Sequence, residues 1–132
     1  MKKMYAVVAI IFTTALLAMP FSAAWAQPST QQVRETMANT AIDRARFLLS
    51  VKKPDEAREV LIDVLQDTGL SDETRGRAYL QMGGVGMNTS DYKAAKRAYQ
   101  SALDLAGISS QLRGAAKFGF ETAESFEKLR QK

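Results

Sequence analysis

A sequence repeat with an offset of 38 residues is the feature that most limits the fold of this chain. Gly69-Leu70-Ser71 recurs as Gly107-Ile108-Ser109. The same offset relates several apolar residues, namely Ala57 to Ala95, Leu61 to Tyr99, Val64 to Ala102 and Leu65 to Leu103. Self-similarity at a period of about 20–50 residues is typical of stacked supersecondary units. Because such units cannot bury their apolar faces alone, they stack and leave a long surface for partners. The repeat therefore indicates a binding module.

The first 26 residues have the features of a bacterial secretory signal peptide. Two lysines precede an almost unbroken apolar run over residues 5–19, and Ala24-Trp25-Ala26 supplies a small-x-small cleavage pattern. Cleavage after Ala26 leaves a single mature domain at residues 27–132, which we expect to be periplasmic or secreted without stable membrane insertion. The alternative is an uncleaved anchor helix, but the run is shorter than the roughly 20 residues that span a bilayer. The chain has no cysteine, which excludes a lipoprotein anchor and a disulfide framework.

Charge is distributed unevenly along the mature domain. The whole chain has 18 basic and 14 acidic residues, and two of the lysines belong to the signal. Residues 27–73 carry six basic and nine acidic side chains, whereas residues 74–117 carry seven basic and two acidic ones. This asymmetry indicates an acidic partner surface or self-association as a homo-oligomer, the alternative being solvated helix faces. Export and the small net charge argue against nucleic acid as a partner.

Helical periodicity and capping residues predict five helices and no strand. Ser29 and Gln32 form a predicted capping box, and Pro54 suits the first turn of the second helix. The first helix has a predicted buried face at Val33, Met37, Ala41, Ala45 and Leu48. We also predict left-handed stops at Gly69 and Gly107 and an opening of the fourth helix at Thr89-Ser90. The third helix should allow close approach of another helix at Gly83, Gly84 and Gly86, which have no side chains.

Residues 79–107 carry the spaced residues of a known helical repeat. The matches are Tyr79, Met82 and Gly83 in the first helix, and Ala95, Tyr99 and Ala102 in the second. The segment thus resembles a tetratricopeptide repeat, although Gly86 replaces an aromatic residue and the period exceeds the usual value of about 34. The resemblance implies an all-α fold of antiparallel helix pairs, stacked as a short right-handed solenoid of two and a half units. A different class of helical repeat is the alternative.

The resemblance also implies a binding surface. In tetratricopeptide proteins the first helices of successive units line a concave groove that holds a peptide or helix of a partner. The positions that correspond to this groove are Asn39, Arg46, Arg77, Leu80, Met87, Asn88 and Phe118. Apolar anchors beside two guanidinium groups suit a segment with apolar side chains and a carboxylate. Ile42, Leu49 and Leu80 fit the groove and the core equally well.

Candidate catalytic chemistry is sparse. The chain has no histidine and no cysteine, which removes the commonest general base and the commonest metal ligands. Glu121, Glu124 and Glu127 follow a three-residue spacing that suits a hard cation. However, Lys117 lies four residues before Glu121 and Lys128 lies four residues after Glu124. This spacing favours a solvated stripe of ion pairs on the helix. We therefore expect no enzyme activity, cofactor or metal. The expected function is that of an exported adaptor, and the alternative is a structural or accessory subunit of an envelope or secretion assembly, oligomeric or membrane-associated.

Overall fold

The structure, a computed structural model, describes residues 27–132, so the predicted signal peptide lies outside the described residues. This part of the chain is all-helical and has no strand, which confirms the predicted fold class. The five helices are α1 (Thr30–Ser50), α2 (Pro54–Gln66), α3 (Asp72–Asn88), α4 (Tyr92–Leu103) and α5 (Ser110–Arg130). Over residues 27–132, none of the helices combines the length and the apolar character needed to cross a bilayer.

Side-chain caps start four of the five helices. The Ser29 hydroxyl accepts a hydrogen bond from the Gln32 amide, and the Gln32 side chain accepts one from the Ser29 amide at 2.8 Å, so the predicted capping box is confirmed. The Ser71 and Ser109 hydroxyls cap α3 and α5 by accepting from the Thr74 and Leu112 amides, without a reciprocal side-chain bond. Pro54 occupies the first turn of α2, where its missing N–H leaves nothing unsatisfied. These caps satisfy amides that have no partner within the helix.

The left-handed residues lie after α1 and α3, where the sequence did not predict them. Lys52 has φ 60° and Ser90 has φ 57°, whereas neither Gly69 nor Gly107 has a positive φ. The predicted left-handed stops at the two glycines are therefore wrong. The predicted opening of α4 at Thr89-Ser90 is also wrong, because Ser90 belongs to the turn and Asp91 caps the helix by accepting from an amide at 3.0 Å.

Carboxylates hold the turns at the two glycines instead. The Gly69 amide donates to Asp67 Oδ1 at 2.9 Å, and the Gly107 amide donates to Asp72 Oδ2 at 2.9 Å. A Cβ on Gly107 would lie 3.1 Å from that same Asp72 oxygen. In the second turn glycine thus favours the close approach of a carboxylate and does not supply a left-handed backbone.

The helices form two pairs followed by a fifth helix. Each helix packs against the next, and α3 also contacts both α1 and α5. Between α1, α2 and α3 the core contains the fully buried side chains of Ile42, Leu61 and Val85. A second cluster joins α4 and α5 through Tyr99 and Ala123. This order of contacts is consistent with a helical repeat-like fold, in which α1, α3 and α5 are equivalent first helices.

Gly83 and Gly86 allow α3 to approach α4 closely, as predicted, whereas Gly84 does not, because a Cβ there would meet only Leu49 Cδ1 of α1 at an ordinary 3.7 Å. The ring of Tyr99 lies between Gly83 of α3 and Gly119 of α5, so a Cβ on Gly83 would overlap the ring, and one on Gly119 would lie 2.6 Å from the ring atom Cε1. Burial raises the pKa of Tyr99 above its ordinary value. At Gly86 the neighbour is backbone, because a Cβ there would lie 2.6 Å from the Ala95 nitrogen.

A carboxylate on each of the first two units holds the start of the next unit. Glu35 accepts hydrogen bonds from the Ser71 amide at 2.6 Å, from the Ser71 hydroxyl at 3.1 Å and from the Thr74 hydroxyl. Glu73, 38 positions later, accepts from the Ser109 amide at 2.7 Å and from the Ser109 hydroxyl at 2.9 Å. The repeat therefore extends to the polar contacts between units, which the apolar pattern did not reveal.

We expect Glu35→Gln to lower stability in a pH-dependent manner. Burial alone would raise the pKa of Glu35, but hydrogen bonds from Thr74, Ser71 and Gln31 outweigh it and lower that pKa below 4.5. A lowered folded-state pKa stabilises the protein above the unfolded-state pKa, and this stabilisation is lost as the pH falls through the folded-state pKa. Urea unfolding at pH 7 should show a loss of about 1–2 kcal/mol.

The loss caused by Glu35→Gln should shrink as the pH is lowered from 7 towards 3, because the wild-type carboxylate then becomes protonated and loses its charge. Glu121→Gln is the matched control, since Glu121 is an exposed glutamate on α5, and it should change stability little. A difference between wild type and Glu35→Gln that stays constant across this pH range would contradict the assignment.

Candidate functional site

The first helices enclose a cavity of about 230 Å³ between α1, α3 and the start of α5. Arg46, Arg77 and Leu80, three of the residues predicted for the groove, line it together with Gln81 and Gln111. We call this cavity the inner groove. These residues come from three different helices, so only the stacking of successive units brings them together.

Two guanidinium groups lie at the inner groove. Arg77 Nη1 donates to Asn39 Oδ1 at 2.7 Å, which ties α3 to the equivalent position of α1. Arg46 Nη1 lies 3.5 Å from Asp43 Oδ1, and both side chains are more than half exposed. An exposed ion pair of this kind contributes little stability, so Arg46 can exchange it for a ligand carboxylate. Each guanidinium has five N–H donors and can hold a carboxylate through two parallel hydrogen bonds.

The remaining predicted groove residues do not line this cavity. Asn39 supports Arg77, as described, and Met87 is half-buried against the cluster around Tyr99. Asn88 is exposed, and its side-chain nitrogen donates to the Gly84 carbonyl at 3.0 Å at the end of α3. Phe118 is 73% exposed on α5. The structure therefore brings Arg46, Arg77 and Leu80 together and leaves Phe118 as a separate apolar contact.

Three residues fitted the groove and the core equally well, and the structure assigns one of them to the core alone. Ile42 is fully buried among α1, α2 and α3 and belongs to the core. Leu49 packs against the same cluster and is half-buried. Leu80 packs against the cluster around Tyr99 and also lines the inner groove, so it serves both roles.

The acidic stripe on α5 is only partly as predicted. Lys128 Nζ lies 3.4 Å from Glu124 Oε2, as the spacing predicts, but the predicted pair of Lys117 and Glu121 does not form. Glu127 points to α4, where Lys96 donates to it at 2.7 Å and lowers its pKa below the ordinary value. Residues 27–132 contain no cluster of side chains that could hold a metal ion.

A larger apolar groove between α1 and α2 was not predicted. It measures about 570 Å³, and its lining includes Val33, Met37, Ala41 and Val60. The sequence assigned the first three to a buried face, but Met37 is 68% and Val33 is 43% exposed. The repeat contains the signal for this groove, because Ala41 stands at the position of the much larger Tyr79 in the second unit. We call this the α1–α2 groove.

Protein-family models, curated proteins and solved structures were compared with the chain, and none of them matches it. The candidate site is therefore assigned from the geometry of this chain and not from a related protein. Arg46 and Arg77 provide its positive charge, and Leu80 provides part of its apolar surface. Glu73 also lines the cavity, but its carboxylate already accepts hydrogen bonds from the Ser109 amide and hydroxyl.

Proposed function

We propose that the mature chain is an exported, periplasmic or secreted adaptor that binds a peptide or helix of a partner protein in a tetratricopeptide-like inner groove. The observation that carries this proposal is the placement of Arg46, Arg77 and Leu80 from successive first helices around one cavity. We propose no catalytic activity, no cofactor and no nucleic-acid partner.

The chemistry of the inner groove supports one kind of partner segment. A cavity of about 230 Å³ has room for only a few side-chain atoms of a partner, so one apolar anchor rather than a whole helix would enter it. Arg46 and Arg77 then favour a neighbouring carboxylate, since hydrogen bonds between charged groups contribute about 1.5–3 kcal/mol each. The expected partner is therefore an acidic segment with an apolar anchor residue.

Photo-crosslinking from the groove in intact cells tests the proposal. We expect a photoreactive amino acid at Gln81 to capture a defined partner, and Arg46→Glu or Arg77→Glu to reduce that capture about tenfold, which corresponds to about 1.4 kcal/mol of binding. The loss should be largest at low salt, where exposed charges are least screened. If the signal is cleaved, the intact mass of the exported chain without a crosslink should correspond to a chain that begins at Gln27.

Lys117→Glu is the matched charge reversal, because Lys117 is exposed on α5 and does not line the inner groove. This variant should leave capture unchanged. Moving the photoreactive amino acid from Gln81 to the exposed position Glu121 should abolish capture. Equal capture from Gln81 and Glu121, or equal losses for the Lys117 and Arg77 reversals, would argue against the groove as the binding site.

The second candidate function, a structural or accessory subunit of an envelope or secretion assembly, is favoured by the exposed α1–α2 groove. Met37 and Val33 are large apolar side chains at a surface, and contiguous apolar patches mark sites of association. Cell fractionation separates the two functions. An adaptor is recovered as a soluble species without membranes, whereas an assembly subunit sediments with the envelope.

A further inference from the structure

The two outer helices, α2 and α4, occupy equivalent positions in the repeat but carry opposite charge. Helix α2 contains four acidic residues and one basic residue, whereas α4 contains three basic residues and no acidic one. The repeat offset places Asp55 at the position of Lys93 and Glu59 at the position of Arg97. Two equivalent positions have therefore reversed their charge between the first unit and the second.

We call these four charged side chains, on the two helices that both pack against α3, the charged outer face. Asp55 and Glu59 are four residues apart and share a side of α2, and Lys93 and Arg97 share the corresponding side of α4. All four residues are exposed. The inner groove is lined by α1, α3 and α5, so the charged outer face is a separate surface.

The charges of this face have few partners within residues 27–132. Glu59, Lys93 and Arg97 form no ion pair there, and Asp55 lies 3.4 Å from Arg58 with its side chain 87% exposed. Such an exposed pair contributes little and is easily exchanged. The acidic helix and the basic helix are therefore both available to an oppositely charged surface.

We propose that the charged outer face binds a second copy of this chain, with α2 of each copy against α4 of the other. A two-fold axis that runs between α2 and α4 creates both contacts at once, because an isologous interface uses the same patch on both subunits. Asp55 and Glu59 of one copy then face Lys93 and Arg97 of the other, in two identical sets.

Charge complementarity selects the second copy as the occupant. Any partner of this face must present a basic helix and an acidic helix at the spacing of α2 and α4, and another copy has that arrangement by construction. Contacts of α2 with α2, or of α4 with α4, would oppose like charges and are disfavoured. Ile62, 43% exposed three residues after Glu59, adds an apolar contact to α2. Because charges dominate the interface, salt should weaken the dimer.

Sedimentation velocity of the full exported chain, purified as cells produce it, tests this inference. We expect a dimer at about 0.05 M salt that dissociates at about 0.5 M, since the screening length becomes several-fold shorter over that range. Asp55→Lys with Glu59→Arg makes both helices basic, and Lys93→Asp with Arg97→Glu makes both acidic. Each of these double variants alone should be monomeric at the same concentration, with dimerisation at least tenfold weaker.

Mixing the two double variants is the decisive measurement. The all-basic and all-acidic chains are complementary on both helices, so an equimolar mixture should form a heterodimer, and the chain with all four changes should again form a homodimer. Circular dichroism checks that each variant is folded, as expected for exposed sites. Lys117→Glu, off this face, should leave the dimer unchanged.

A monomeric wild type at low salt, or a mixture of double variants that stays monomeric, would overturn the proposal. Assemblies larger than two copies would overturn the isologous arrangement, because they require head-to-tail contacts that do not close. The photo-crosslink from Gln81 separately reports on the inner groove, so failure of the dimer and failure of the adaptor function are distinguishable.

Discussion

We expect the Ala102→Asp variant to lose its native fold at room temperature. Ala102 lies on α4 with no exposed surface, so an aspartate there would bury a carboxylate that has no hydrogen-bond donor or counter-charge provided for it. Burying an unpaired carboxylate costs several kcal/mol or forces its protonation. Because a domain of this size is stable by only about 5–15 kcal/mol, far-UV circular dichroism should show a lost helical signal or a melting temperature lowered by more than about 15 °C.

Ala106→Asp is the matched control for this substitution. Ala106 lies just after α4 and is exposed, so the same chemical change there should alter stability by less than about 0.5 kcal/mol. If Ala102→Asp melted like the wild type while remaining helical, α4 would have to face solvent at position 102. That result would contradict the packing of α4 against α3 and α5 described above.

The second large effect is expected for Gly86→Ala. A Cβ at position 86 would lie 2.6 Å from the Ala95 nitrogen and 2.8 Å from its Cα atom. No rotamer change can relieve a contact with backbone, so α3 and α4 must separate and loosen the packing around Tyr99. Overpacking typically costs about 1–3 kcal/mol, and it should exceed the gain of roughly 1 kcal/mol that alanine brings to a helix.

Gly84→Ala separates this steric effect from helix propensity. A Cβ at position 84 would meet only Leu49 Cδ1, at an ordinary contact distance of 3.7 Å. The variant should therefore be as stable as the wild type or more stable by up to about 1 kcal/mol. Denaturant unfolding of both variants measures the difference, and equal destabilisation by Gly84→Ala and Gly86→Ala would contradict the close approach of α3 and α4 at Gly86.

The two binding surfaces that we propose lie on different helices of the domain. The inner groove presents Arg46 and Arg77 on the side of the first helices, and the charged outer face lies on α2 and α4. Binding of a second copy through the outer helices leaves the inner groove open. A dimeric adaptor of this kind would present two grooves to one partner, which raises its avidity without any new contact.

The sequence by itself determined the helices and most of their beginnings. The capping box at Ser29 and the first-turn position of Pro54 were predicted and are present. The apolar residues Ala57 and Leu61, which the repeat offset singled out, are fully buried. These features depend on groups within about one turn of a helix, so nearby residues contain the necessary information. The resemblance to a tetratricopeptide repeat implied a groove at Arg46, Arg77 and Leu80, and these three residues line one cavity.

Only the tertiary structure decided how residues far apart in the chain contact one another. The Gly107 amide donates to the Asp72 carboxylate, and the Ser71 amide at the start of α3 donates to the Glu35 carboxylate. In both cases the two partners are 35 or more residues apart. Exposure of Met37 likewise depends on what packs over α1, because an apolar residue at helical spacing looks the same whether a neighbour covers it or not. Local patterns define a helix and its apolar side, but the contacts made by that side are set by the packing of distant segments.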